Sequence, residues 1–243
     1  MLHKSYRGEY TSTLLSSIEG LKHGFTTREH GDMRDKKNVA SFLGNDTIFV
    51  QAQQIHGGDI ETITSKIKNT RVFDGVDGLI TADDQNQIFL TVRTADCVPI
   101  LAVDPQKRII GVAHCGWKGT VAKIPKYLVE RMIAAGANAK NIRVVLGPSI
   151  GACCYNVNTD RMQLFVDAFG TTAKGLVVRA GEFFLDLEAN IVEQFLGSGI
   201  RKAHIETANM CNASLHPAFF SYRKDTKETF GEMIGFIGYQ RLL

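Results

Sequence analysis

A chain of 243 residues is long enough to bury a substantial core, in one large domain or two small ones. Its 44% hydrophobic and 22% charged residues exclude the disordered and fibrous classes. The formal net charge is only +3, and the basic residues are scattered among acids, so no basic stripe marks a nucleic-acid partner.

Five cysteines, at 97, 115, 153, 154 and 211, are an odd count and too sparse for a disulfide scaffold; free thiols and a metal ligand are expected instead. The first twenty residues carry no secretory apolar region, and no later run approaches a membrane span, so the reading is a cytoplasmic protein with no membrane partner.

In chain order, the first third reads as short strands at Lys22 to Thr27, Ile48 to Gln53 and Asp59 to Thr64, each bounded by Gly, Asn or Asp. Between the first two, the polar stretch Glu29 to Asn38 reads as a loop with nothing to bury. The strongest strand signals follow at Ile88 to Arg93, Pro99 to Val103 and Arg108 to Ala113, with DPQKR as a turn between the last two. Val121, Ile124, Leu128 and Met132 then share a helical face that Gly136 terminates, and Pro125 should kink the first turn or delay its start. Ile142 to Leu146 returns as a strand, and Gly147 to Asn156 is a glycine-rich loop without a dinucleotide fingerprint. Thr159 and Asp186 read as N-caps of helices with apolar faces at Leu164, Phe165 and Phe169, and at Leu187, Ile191 and Phe195. Alternation through Ile234 and Phe236 predicts a final strand. No linker, repeat or low-complexity tract divides the chain, which predicts a single mixed α+β domain over residues 1–243.

The chemistry concentrates between Thr91 and Thr120, where two buried strands end at Cys97 and His114; QQIHGGDI upstream supplies His56 in a turn. Together these have the make-up of a Cys-His-His zinc site, which leaves a position open for a water whose pKa the metal lowers to about 7. The spacing is not diagnostic. Singly, Cys97 reads as a small core residue and each histidine as a hydrogen-bonded side chain, but Gly57, Gly58, Gly116 and Gly119 crowd beside both histidines. Asp96, next to the cysteine, is a candidate proton carrier or a turn cap. Trp117 either stacks on a base or packs beneath the glycine turn.

The motifs QIHGGDI, DGLIT, TADCVPILAVDP, GVAHCGWKG, LGPSIGACCYNV, FLDLEANI and FFSYRKD, in this order, resemble the YfiH-type family, also called polyphenol oxidase or laccase-domain proteins. The resemblance runs from His23 to the C-terminus. It implies packed mixed β-sheets with outer helices, and a purine nucleoside phosphorylase that also deaminates adenosine, with nucleoside and phosphate as its partners. It further implies a zinc held by His56, Cys97 and His114. Asp96, Cys97 and His114 are then the expected catalytic residues. Phosphorolysis also needs a cationic pocket for phosphate, and Arg28, Lys118 and Arg223 are the candidates, each equally readable as a surface or ion-paired residue.

The chain departs from the family pattern where Cys115 replaces an alanine, Lys118 an arginine, and Glu232 the arginine of a TGR motif. Lys118 keeps the charge but not the two-pronged grip of a guanidinium. Three other readings use the same residues. A Cys-His hydrolase would take Cys97 as nucleophile and His114 as base, with cell-wall precursors as one substrate class. A copper oxidase, as one family label suggests, needs many imidazoles, commonly in His-X-His pairs; there are seven histidines here and no such pair. A non-enzymatic binding protein would be consistent with the altered residues at 118 and 232.

Overall fold

The computed structural model describes residues 1–64, 66–82, 88–171 and 173–240. Its centre is the antiparallel hairpin Val98–Asp104 and Ile109–Cys115, in which Ile109 pairs with Asp104 and Cys115 with Val98. Every residue of both strands is buried. Side chains alternate across a strand, so total burial requires cover on both faces. On one face Ile100, Ala102, Ala113 and Cys115 join Leu128, Phe165, Ile191 and Phe195 from the helices Ile124–Ala134, Thr159–Phe169 and Leu187–Gly197. On the other, Leu101, Val103, Ile110 and Val112 meet Val50, Leu90, Val92 and Ile237 from a second sheet.

The hairpin's sheet has six strands, in the order Ile205–Thr207, Arg143–Leu146, Val98–Asp104, Ile109–Cys115, Gly78–Thr81 and Ile60–Ile63. The facing sheet has seven, with Met233–Tyr239 antiparallel to both Leu21–Phe25 and Phe89–Thr94. A smaller sheet pairs Glu182–Leu185 with Leu176–Arg179 and Asn156–Val157. The layers run helices, sheet, sheet, with a further helix outside the second sheet. This is the packed mixed-sheet α+β fold with outer helices.

That outermost helix corrects the reading of Glu29 to Asn38 as a loop. Lys36–Leu43 is helical, capped by the Asp35 carboxylate, which accepts from the Lys37 N–H at 2.8 Å. The polar run is its cap and solvent face, while Met33, Val39 and Phe42 pack on Phe49, Phe89 and Phe236. One cap also shifts. Asn158, not Thr159, accepts from the Arg161 N–H at 3.1 Å, and Leu164 is exposed while Phe165 alone in that helix is buried. Asp186 caps its helix as expected, accepting from the Ala189 N–H at 2.9 Å. Pro125 does delay a helix: a short helix, Trp117–Val121, ends before Lys123 turns left-handed (φ 63°), and Ile124–Ala134 starts there with Pro125 in its first turn.

His23 is buried in the seven-stranded sheet, and its Nε2 accepts from the Ser12 N–H at 2.9 Å. Burial pulls the imidazole down to about 4, against the smaller upward pull of Ser12. Because the folded value lies below the unfolded one near 6.5, the unfolded chain takes up a proton first as pH falls, so stability drops between about pH 6.5 and 4. The expected loss across that window is about 3 kcal/mol. Urea unfolding at pH 7 and pH 4 should show His23→Gln losing less stability on acidification than the wild type; equal losses would remove His23 as the cause.

Candidate metal centre

Three connections cross from the seven-stranded to the six-stranded sheet at the same end of the molecule. They join Phe49–Gln53 to Ile60–Ile63, Arg71–Asp74 to Gly78–Thr81, and Phe89–Thr94 to Val98–Asp104. They carry His56, Asp77 and Cys97 respectively, and His114 lies near the end of the strand that pairs beside them, opposite Pro99. The topology thus gathers residues that are far apart in sequence.

The ligand atoms of His56, Cys97 and His114 all lie within 4.8 Å of one another. The two imidazoles meet edge to face, with ring centroids 4.7 Å apart. His114 is buried, Cys97 half-buried and His56 exposed, so the group is fixed from behind and reachable from solvent. His56 sits at φ 62° and Asp96 at φ 87°, left-handed positions that cost side-chain-bearing residues roughly 1–3 kcal/mol and persist where the surroundings enforce them. Gln54 helps enforce the first. Its side chain clamps Arg93 in the neighbouring strand, donating to the carbonyl at 2.7 Å and accepting from the N–H at 2.9 Å.

Asp77 organises the centre. Its fully buried carboxylate accepts from the N–H groups of Ile55 (3.2 Å), His56 (3.0 Å) and Gly57 (2.6 Å), and from His114 Nδ1 at 2.8 Å. Its carbonyl also accepts the His114 N–H at 2.7 Å. Burial alone would raise the Asp77 carboxyl, but the His114 bond and the Gly57 N–H hold it below the ordinary carboxylate range. An ionised carboxylate only accepts, so His114 Nδ1 carries a proton, and Nε2 is left as the ring nitrogen that would bind a metal once its own proton is displaced. This is how a carboxylate orients a metal-binding imidazole. Without an ion, burial raises the Cys97 thiol, but the two histidines bring it down to about 7. Burial lowers His114, but Cys97 and Asp77 lift it to about 9. The donor set of two imidazoles and one readily ionised thiol suits a borderline-soft divalent ion.

Gly116 closes the space behind the thiol: a Cβ there would stand 2.7 Å from Cys97 Sγ and 3.6 Å from His56 Cδ2. Its φ of −82° suits any residue, so Gly116→Ala is a purely steric change. Overpacking of about 1–3 kcal/mol should fall on the Cys97 position and weaken metal binding by roughly tenfold to a hundredfold. Chelator competition on the folded variant measures it; unchanged affinity would mean that the thiol can move aside.

A sequence model of the family described as multi-copper polyphenol oxidoreductase laccase matches residues 22–240. The chain belongs to that family. Among its relatives, the purine nucleoside phosphorylase YlmD of Geobacillus stearothermophilus is 36% identical over 204 residues, covering 78% of this chain and 72% of that protein. Adenosine deaminase RL5, from an unknown prokaryotic organism, is 30% identical over 239 residues, covering 86% and 90%. The crystal structure of the hypothetical protein YfiH from Bacillus licheniformis matches with a TM-score of 0.84 at 28% identity, over 98% of this chain and 99% of that one.

The remaining expected site residues of this laccase-family chain are placed as follows. Asp96 is buried; its Oδ2 accepts from the Arg223 N–H at 2.8 Å, while Oδ1 has no hydrogen-bond partner among the described residues. Burial raises its pKa, against the Arg223 N–H and the Ser221 hydroxyl. Arg28 is committed to the protein: its Nη2 lies 2.7 Å from Asp225 Oδ1 and donates to the Phe219 carbonyl at 3.0 Å, and the guanidinium stacks on Phe220. Arg223 donates to the carbonyls of Cys154 (3.0 Å) and Asn156 (3.3 Å). Lys118 is exposed, with Nζ 5.7 Å from the Trp117 ring centroid, and Arg161 stacks on the same indole at 4.6 Å. Glu232 pairs with Arg93 at 3.3 Å, so the acid at that departure serves an internal ion pair. Cys115 points into the helix-side core beside Thr120, away from the triad, and burial pushes its thiol far up. Sequence reasoning missed Asp77 as a site residue, although it opens the DGLIT motif.

Proposed function

We propose that the protein is a zinc-dependent purine nucleoside phosphorylase, converting adenosine, inosine or methylthioadenosine to free base and ribose 1-phosphate, and that the same centre deaminates adenosine. The observation that carries this reading is the triad of His56, Cys97 and His114 oriented by a buried Asp77, in a chain whose relatives include proteins named for both activities. When bound, a zinc ion supplies an electrophilic centre and a water of lowered pKa.

The chain's own residues do the rest. Asp77 holds His114 Nδ1 and so turns Nε2 toward the metal position, and the absence of a side chain at Gly116 leaves room for the Cys97 thiol. Asp96, whose raised pKa favours a carboxyl that can give and retake a proton, is the proton carrier beside Cys97. Phosphorolysis also needs positive charge against the phosphate. Lys118 and Arg223 supply it, while Arg28, neutralised by Asp225, ties the segment bearing Arg223 to the site.

The test is chromatography of products from adenosine and the zinc-loaded protein, with and without phosphate, beside His114→Ala. Adenine and ribose 1-phosphate only with phosphate, inosine in either case, and neither product from the variant are the expected results. No turnover under any condition would sink the proposal. One observation favours a second reading. Without a metal, Cys97, His114 and Asp77 align as a thiol, a base and an orienting acid, the arrangement of a cysteine hydrolase. Activity that survives chelation would select it.

A further inference from the structure

A second cluster lies outside the triad. The sulfur atoms of Cys153, Cys154 and Cys211 all lie within 4.8 Å of one another, and those of Cys153 and Cys154 are 3.7 Å apart. The cysteines come from two loops, the glycine-rich turn after Arg143–Leu146 and the segment after Ile205–Thr207, joined by an isolated parallel bridge between Ser149 and Cys211. The Ser149 N–H donates to the Met210 carbonyl at 3.1 Å, and the Asn212 N–H to that of Ser149 at 2.9 Å. Cys211 and the pair 153/154 are therefore held face to face by main chain.

The Ser214 hydroxyl lies 3.2 Å from the sulfurs of both Cys153 and Cys154, and the main-chain N–H groups of Gly151 and Ser214 favour the charged form of Cys211. These groups would offset the negative charge of bound thiolates. A tetrahedral ion with Zn–S bonds near 2.3 Å sets its sulfurs about 3.8 Å apart, close to the spacing already present between Cys153 and Cys154. Cys153 is exposed and the other two half-exposed, which leaves an entry path.

We propose that Cys153, Cys154 and Cys211 form a second metal site, in which three sulfurs hold a thiophilic ion such as Zn(II), with the Ser214 hydroxyl or water completing the shell. Three thiolates select soft ions over magnesium or calcium. The ion would staple the two loops. Through Arg223, which donates to the Cys154 carbonyl at 3.0 Å and whose N–H binds Asp96, it would stiffen one wall of the first centre.

The test is zinc stoichiometry on the full, reduced chain, together with the ultraviolet thiolate-to-metal band on adding Cd(II). Two ions per wild-type chain and one in each of Cys153→Ser, Cys211→Ser and Cys97→Ala are expected. Zinc should also slow iodoacetamide alkylation of Cys153 in Cys97→Ala, a measurement that does not depend on how the serine variants fold. One ion in the wild type that is lost with Cys97, or alkylation of Cys153 unaffected by zinc, would overturn the proposal. So would a disulfide within the cluster whose reduction brings no zinc uptake.

Discussion

Asp77→Ala is expected to cost the fold about 3–5 kcal/mol, because it removes the one acceptor shared by three main-chain N–H groups and a buried imidazole. Ile55, His56 and Gly57 belong to the connection that brings His56 to the site, so their donors lose their partner together. His114 Nδ1, almost wholly buried, is left with no acceptor. That cost is a large fraction of the 5–15 kcal/mol that holds a typical domain folded.

Asp77→Asn separates the two duties of the residue. The amide oxygen can still accept from the loop, but an amide NH2 facing His114 Nδ1 needs that nitrogen as acceptor, which places the ring proton on Nε2 and blocks the metal-facing lone pair. A smaller stability loss with metal affinity reduced about 10–100-fold is therefore expected. Urea unfolding of the metal-free variants and chelator competition read the two effects separately. If the asparagine variant bound metal like the wild type, the carboxylate would be a scaffold for the loop and nothing more.

Much of this fold was legible because its central strands announce themselves. Val98–Asp104 and Ile109–Cys115 are continuous aliphatic runs around a DPQKR turn, the pattern of strands covered on both faces. Lys36–Leu43 was hidden because a short helix with two buried side chains offers little periodicity, and its capping aspartate sits in a run that reads as loop. The strand Gly78–Thr81, which follows Asp77, is too short to signal itself. His56, Cys97 and His114 could be named from the sequence. Asp77 could not, because its role depends on three sheet crossings converging, a tertiary fact with no local pattern. The candidate cations show the converse: a guanidinium in the sequence gives no sign that Asp225 already holds it, as with Arg28.

Replacing Cys97 and Cys115 should give opposite results, although one shares the triad with His114 and the other follows it in the chain. In the strand Ile109–Cys115 the side chains alternate: His114 shares the face of Val112, whereas Cys115 shares that of Ala113 and packs with Ile124 and Leu128 on the helix side. Cys115→Ala thus removes one sulfur from a core and is expected to cost about 1 kcal/mol of stability while metal content holds. Cys97→Ala removes a sulfur from a solvent-reachable triad and leaves two imidazoles. Its loss of metal affinity should exceed the roughly 10–100-fold typical of second-shell changes. Since Lewis-acid stabilisation is worth several kcal/mol, nucleoside turnover should fall about a thousandfold or more. Titration of the first centre in both variants, followed by kcat/KM on the same samples, decides the matter. Metal retained at the His56 and His114 site in Cys97→Ala but lost in Cys115→Ala would mean that the strand can present its other face, and the ligand assignment would pass to Cys115.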